Sequence, residues 1–135
     1  MELILDANVI FAALIRNSHT RDLLLTTGWN FYAPEFVLNE VYSHIQTLSE
    51  KTGLDAKEVK DLLAKLTLAA DVKIIPASEF EEHLKQAKRI CPDPDDIHYF
   101  ALALKLNCAI WSNEKKLKEQ ANVKVYSTGE LSRKR

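Results

Sequence analysis

The chain has few of the residues that punctuate turn-rich folds: its 135 residues include 3 glycines and 4 prolines. All-β sandwiches and barrels need a turn signal roughly every 8–12 residues, so that class is excluded. The 2 cysteines, Cys91 and Cys108, cannot build a disulfide framework and match no zinc or thiol-redox spacing. They are expected to pack as small apolar groups, and an intracellular, cytoplasmic setting is expected. No apolar run approaches the roughly 20 residues of a bilayer span. The opening Met1-Glu2-Leu3-Ile4-Leu5-Asp6 has neither a basic region nor a small-residue cleavage pattern, so neither a membrane anchor nor a secretory signal is expected. Nor is there an excess of one charge: the net value is -1, which gives no overall field to draw in a polyanion. A chemical site built from acids remains compatible with that balance.

What is present is ordinary globular composition, 47% hydrophobic and 27% charged, in a length that buries roughly two-thirds of its unfolded surface. No repeat, linker or low-complexity tract interrupts it, so a single domain over 1–135 is expected. Leu3-Ile4-Leu5, Phe31-Tyr32-Ala33, Val72 to Ile75, Ala109 to Trp111 and Val123 to Tyr126 read as short buried strands. Between them lie helical patterns: two short helices from Asn8 to Leu25, one opening near Glu35, and one introduced by the capping pair Asp55 and Glu58. Ser78 with Glu81 repeats that signature, and Asp93-Pro94 places proline at the first position of a helix apolar on all sides. Strands alternating with helices give parallel pairing with right-handed crossovers. The expected fold is a three-layer α/β/α sandwich with a largely parallel central sheet.

In such a sheet the functional crevice lies outside the carboxyl ends of the strands. Asp6 follows the first strand and Glu114 follows Ala109–Trp111. Asp96 sits in the first turn of the apolar helix, and Glu40 borders the stripe formed by Val37, Leu38, Val41, Ile45 and Leu48. Each acid has an ordinary role open to it. Asp6, Glu40 and Glu114 can be solvated, and Asp93 with Asp96 makes a good helix cap. Read together they gather at one end of the sheet, where carboxylates a few ångströms apart repel by about 4 kcal/mol per pair at an effective dielectric near 20. A cation must compensate, and oxygen donors suit Mg²⁺ or Mn²⁺ better than zinc. Asp6 and Asp96 are the expected ligands, with Glu40 and Glu114 binding directly or through water. One or two such ions can generate hydroxide and neutralise charge on a phosphodiester.

Four segments carry a family likeness: Leu3-Ile4-Leu5-Asp6-Ala7-Asn8-Val9-Ile10, Pro34-Glu35-Phe36-Val37-Leu38-Asn39-Glu40-Val41, Pro92-Asp93-Pro94-Asp95-Asp96 with its Ala101-Leu102-Ala103-Leu104 helix, and Trp111-Ser112-Asn113-Glu114. In this order, spanning essentially the whole chain, they resemble the PIN-domain ribonucleases, a group that includes the VapC-like toxins of prokaryotic toxin–antitoxin pairs. The resemblance implies a metal-dependent endoribonuclease whose acidic quartet falls on Asp6, Glu40, Asp96 and Glu114. It assigns supporting roles to Asn8 and Ser112 and added charge to Asp93 or Asp95. It also implies a homodimer and a cognate antitoxin. Two positions depart from the pattern: the family usually has Asp where this chain has Glu114, and Lys116 stands where many relatives carry an acid. With an eroded quartet the expectation becomes an RNA- or protein-binding module, whose acids are caps and solvated groups. A phosphoacceptor domain ranks last, because Asp6 is followed by Ala7 and Asn8 rather than by a second acid.

Lys115 and Lys116, beside a proposed ligand, are expected to contact RNA, as is Arg16; the tail Arg133-Lys134-Arg135 reads as solvated charge. The exposed helix faces between Phe36 and Ala70 are the expected partner surface. His19, His44, His83 and His98 have no recognisable nucleophile partner, and Trp29 and Trp111 read as core.

Overall fold

A computed structural model describes residues 1–15 and 18–135. Arg16, an expected RNA contact, lies outside the described residues. Strands β1 (Glu2–Leu5), β2 (Asn30–Pro34), β3 (Lys73–Ile75), β4 (Ala109–Trp111) and β5 (Val125–Tyr126) form one sheet in the order β3-β2-β1-β4-β5. Every neighbouring pair is parallel. Parallel strands cannot be joined by hairpins, so helices fill the crossovers: α1 (Ala7–Leu14), α2 (His19–Thr26), α3 (Phe36–Ser43), α4 (Ile45–Thr52), α5 (Ala56–Ala69), α6 (Leu84–Ile90), α7 (Ile97–Leu106) and a closing α8 (Thr128–Ser132). The expected α/β sandwich is therefore the observed one. Among the described residues no helix is long and apolar enough to cross a membrane.

The core explains the layering. Leu3, Ile4 and Leu5 have no exposed surface, as expected of a central strand covered on both faces. Around Leu5 close Ile10 and Leu14 of α1, Leu24 of α2 and Leu63 of α5, while α7 lies against β1, β2 and β4. Tyr99, Phe100, Ala101, Leu102 and Ala103 of α7 are all buried; only its ends reach solvent. Trp111 is fully buried, whereas Trp29 is half-buried at the rim.

Two local expectations are corrected, and one helix is unexpected. Ser78 caps no helix: two 3₁₀ turns, Ala77–Glu79 and Glu81–His83, precede α6. The cause is Phe80, whose fully buried ring packs edge-on against His98 and whose backbone (φ -132, ψ 12) leaves helical geometry between the turns. The stripe from Val37 to Leu48 belongs to two helices, broken at His44 (φ -109, ψ 16). There the Glu40 carbonyl accepts from Ser43 Oγ at 2.8 Å, and His44 Nδ1 lies 2.9 Å away, so side chains compete with the helical ladder. The unexpected helix is α8, absent from the expected elements although Ser127 and Glu130 form a complete capping box. Ser127→Ala should cost about 1 kcal/mol in urea unfolding, since this cap sets α8 where Thr128 accepts from Trp111 Nε1 at 2.9 Å.

Candidate active site

Strand order places the site. The chain runs outward from β1 to β2 and β3, then returns to the other side of β1 for β4 and β5. The reversal falls between β1 and β4, and the crevice at their carboxyl ends is where such sheets bind ligands. Asp6 directly follows β1, and Ser112 directly follows β4. A cavity of about 120 Å³ opens there, lined by Asp6, Ala7, Asn8, Glu40, Asp93, Asp95, Asp96, Tyr99 and Glu114. Acids from four segments of the chain thus meet in one small space. No lysine, arginine, histidine or cysteine is among the described residues that line it.

Asp6 caps α1: its Oδ1 accepts the Val9 N–H at 2.9 Å, while the side chain is only 2% exposed. Burial pushes its carboxyl up to about 6; hydrogen bonds from Ser112 and the Val9 N–H pull the other way, and the charges of Glu114 and Glu40 add to the rise. Asp96, 9% exposed, ends the 3₁₀ turn Pro94–Asp96 that Asp93 caps by accepting from the Asp95 N–H at 3.0 Å. Burial first, then Glu114, Asp93 and Asp6, push its carboxyl up to about 7. Carboxyl oxygens of Asp93, Asp96 and Glu114 can all lie within 4.8 Å of one another. Asp93 therefore both caps and contributes to the cluster.

Asn8 and Ser112 support the loop after β4. Asn8 Nδ2 donates to Glu114 Oε1 at 3.1 Å, joining two segments 106 residues apart. Ser112, 1% exposed, accepts the Glu114 N–H at 3.1 Å from below the cavity. Lys115 and Lys116 do not line the cavity; they are exposed on the turn Lys115–Lys118 just beyond it. Sequence reasoning passed over Tyr99, whose hydroxyl donates to Glu40 Oε1 at 2.6 Å; burial and the adjoining Glu40 carboxylate raise its pKa. The only sequence signal was its place three residues after Asp96, on the same side of α7.

All the charged donors here are carboxylates, the set that hard divalent cations such as Mg²⁺ and Mn²⁺ prefer. The carboxyl oxygens of Asp93, Asp96 and Glu114, within 4.8 Å of one another, would draw together to hold such an ion. The residues fit such an ion.

The PIN domain family model matches residues 4–134. The chain belongs to the PIN-domain family, whose members are generally nucleases. Among solved structures, VapBC2 from Rickettsia felis, bound to a DNA fragment from its promoter, aligns with a TM-score of 0.63 and 19% identity. The alignment covers 94% of this chain and 98% of that one. At that identity the likeness is one of fold. No curated protein sequence matches the chain.

Proposed function

We propose that this chain is a divalent-metal-dependent endoribonuclease that hydrolyses RNA phosphodiester bonds at the acidic cavity. The observation that carries the reading is the meeting of Asp6, Glu40, Asp96 and Glu114 in one cavity, with no cationic side chain among the described residues that line it. Asp6 and Asp96 hold Mg²⁺ or Mn²⁺, Glu40 and Glu114 bind directly or through water, Asp93 offers a further oxygen beside Asp96 and Glu114, and Asp95 adds negative charge. When bound, such an ion activates a water and neutralises charge on a phosphate. Asn8 and Ser112 steady Glu114, whose longer arm replaces the family's usual Asp.

Positive charge beside the cavity supports a polyanionic substrate. Lys115 and Lys116 are exposed directly after Glu114, whereas Lys118 pairs with Glu130, and Lys134 and Arg135 lie beside Trp29 and Thr26 near the start of β2. Phosphates leaving the cavity therefore meet Lys115 and Lys116. Replacing both with alanine should weaken binding of single-stranded RNA to an inactive variant. The slope of log K against log salt should also shrink, by roughly 1.4. Filter binding at several salt concentrations reads both effects.

The likeness to a toxin–antitoxin complex supports a cognate antitoxin as partner, and a second copy of the chain is the other expected one. Tyr42 and Leu68, 46% and 84% exposed, lie on the helices between Phe36 and Ala70 and offer apolar surface for these contacts. The setting is cytoplasmic, with the thiols of Cys91 and Cys108 free. The deciding experiment incubates the protein with labelled RNA in Mn²⁺, Mg²⁺ or EDTA. Cleavage with a divalent ion and none in EDTA is expected; metal-independent cleavage, or no cleavage with either ion, overturns the reading.

A further inference from the structure

The side chain that grips Glu40 belongs to no part of the acidic quartet. Tyr99 is 1% exposed, yet its hydroxyl reaches the acidic cavity and donates to Glu40 across 59 residues of chain. Its ring meets Phe36 edge-on, with centroids 6.3 Å apart, and Phe36 stacks on His98 at 4.8 Å. Phe36 and Glu40 are four residues apart on α3 and share one face of that helix. Tyr99 therefore touches that face twice, by its ring and by its hydroxyl. Three residues before it on α7's side stands Asp96. The tyrosine ties the helix that carries Glu40 to the turn that carries Asp96.

Glu40 needs such a tie. It is half-buried, lies near the end of α3, and its own carbonyl is drawn into the bend at His44. A glutamate side chain has several rotatable bonds, and leaving it free forfeits rotamer entropy each time it must bind. A phenol donating to a carboxylate forms a short charge-assisted bond, which occupies Oε1 and leaves Oε2 for a cation or its water. We propose that Tyr99 is a positioning residue: it fixes Glu40 with one oxygen committed and the other free, and thereby sets how tightly the cavity holds a divalent cation.

The proposal rests on the metal-dependent reading above, and the experiment separates the two. Mn²⁺ is titrated by calorimetry into the full-length wild type and into D6N, Y99F, E40A and the Y99F/E40A double variant, with melting curves for each. Y99F is expected to weaken Mn²⁺ binding roughly tenfold. E40A should weaken it at least as much, and the double variant should match E40A, because Tyr99 acts through Glu40. A Y99F dissociation constant within a factor of two of wild type overturns the proposal. So does an equal further loss when Y99F is added to E40A, which is what a packing role gives. If D6N binds Mn²⁺ as wild type does, the metal site itself is misplaced and both readings fall.

Discussion

Asp96→Asn and Asp6→Asn will each lower metal-dependent RNA cleavage by about three orders of magnitude. A bound divalent ion contributes several kcal/mol of transition-state stabilisation, and about 4 kcal/mol is a thousandfold in rate. Asparagine is nearly isosteric, so the cavity keeps its shape while losing a charged ligand. At Asp6 the amide oxygen can still accept the Val9 N–H that starts α1, so the helix cap survives. Metal-free D6N should melt no lower than wild type at pH 8, because the charge removed is one that burial disfavours. Single-turnover cleavage beside a melting curve tests both halves. Retained cleavage in both variants would sink the assignment, and a collapsed melting curve would show that the loss came from unfolding.

Local features were legible in the sequence, and long-range ones were legible only where a topological rule stood in for geometry. The apolar run Leu3-Ile4-Leu5 stopping at Asp6 reads as a strand within six residues, whereas the cap that Asp6 makes on α1 shows only in the structure. The Asp55 capping box forms as the spacing predicts. The gathering of Asp6 and Glu114 follows from the rule that parallel sheets present their strand ends together. Phe80 shows the limit: a sound capping signature at Ser78 loses to the burial of one ring, and burial is a property of the whole fold. His44 shows another, since nothing in the spacing of apolar residues announces that Ser43 and His44 will take the Glu40 carbonyl. The Tyr99 contact with Glu40 spans 59 residues, and a tyrosine in an apolar helix reads as core until its hydroxyl partner is seen.

Asp93 illustrates a subtler reason for partial legibility, namely that one residue can serve two ends. Its spacing from Pro94 and Asp96 reads as a helix cap, and it does cap, through the Asp95 N–H. A capping carboxylate spends one oxygen on the backbone and keeps lone pairs on the other. At Asp93 this leaves capacity that the fold turns toward Asp96 and Glu114. The same economy holds at Asp6, where a cap on α1 also lines the cavity. Stabilising a helix start and supplying a cation ligand require the same chemical group, so sequence alone cannot separate the two uses.

Stripped of divalent ions, the protein will lose stability as pH rises from 4 to 8, opposite to the usual behaviour of paired carboxylates. Below 3.8, the ordinary value for Asp, the Asp6 carboxyl is protonated in both folded and unfolded chains and contributes nothing. Between 3.8 and about 6 the unfolded chain has released a proton that the native state still holds, so stability falls with rising pH. Above about 6 the native carboxyl ionises too, and the penalty is complete at about 3 kcal/mol for this buried group. Asp96, raised to about 7, acts in the same direction over a window that extends higher. For a domain of this length such a loss corresponds to a melting temperature lower by roughly 10 °C. Cation binding needs both groups ionised, so affinity rises over the same interval and Mn²⁺ should protect most at pH 8. Melting curves in EDTA and in Mn²⁺ from pH 4 to 8 should diverge with rising pH, and D6N should flatten the EDTA series. A metal-free protein equally stable at pH 5 and pH 8 would mean that the crowding of acids is relieved by something other than a cation. On the proposed reading, the tension among Asp6, Asp96, Asp93 and Glu114 is the physical quantity that would couple this fold to a divalent ion: the native chain holds unfavourable charge at one sheet edge, and a bound cation would release it.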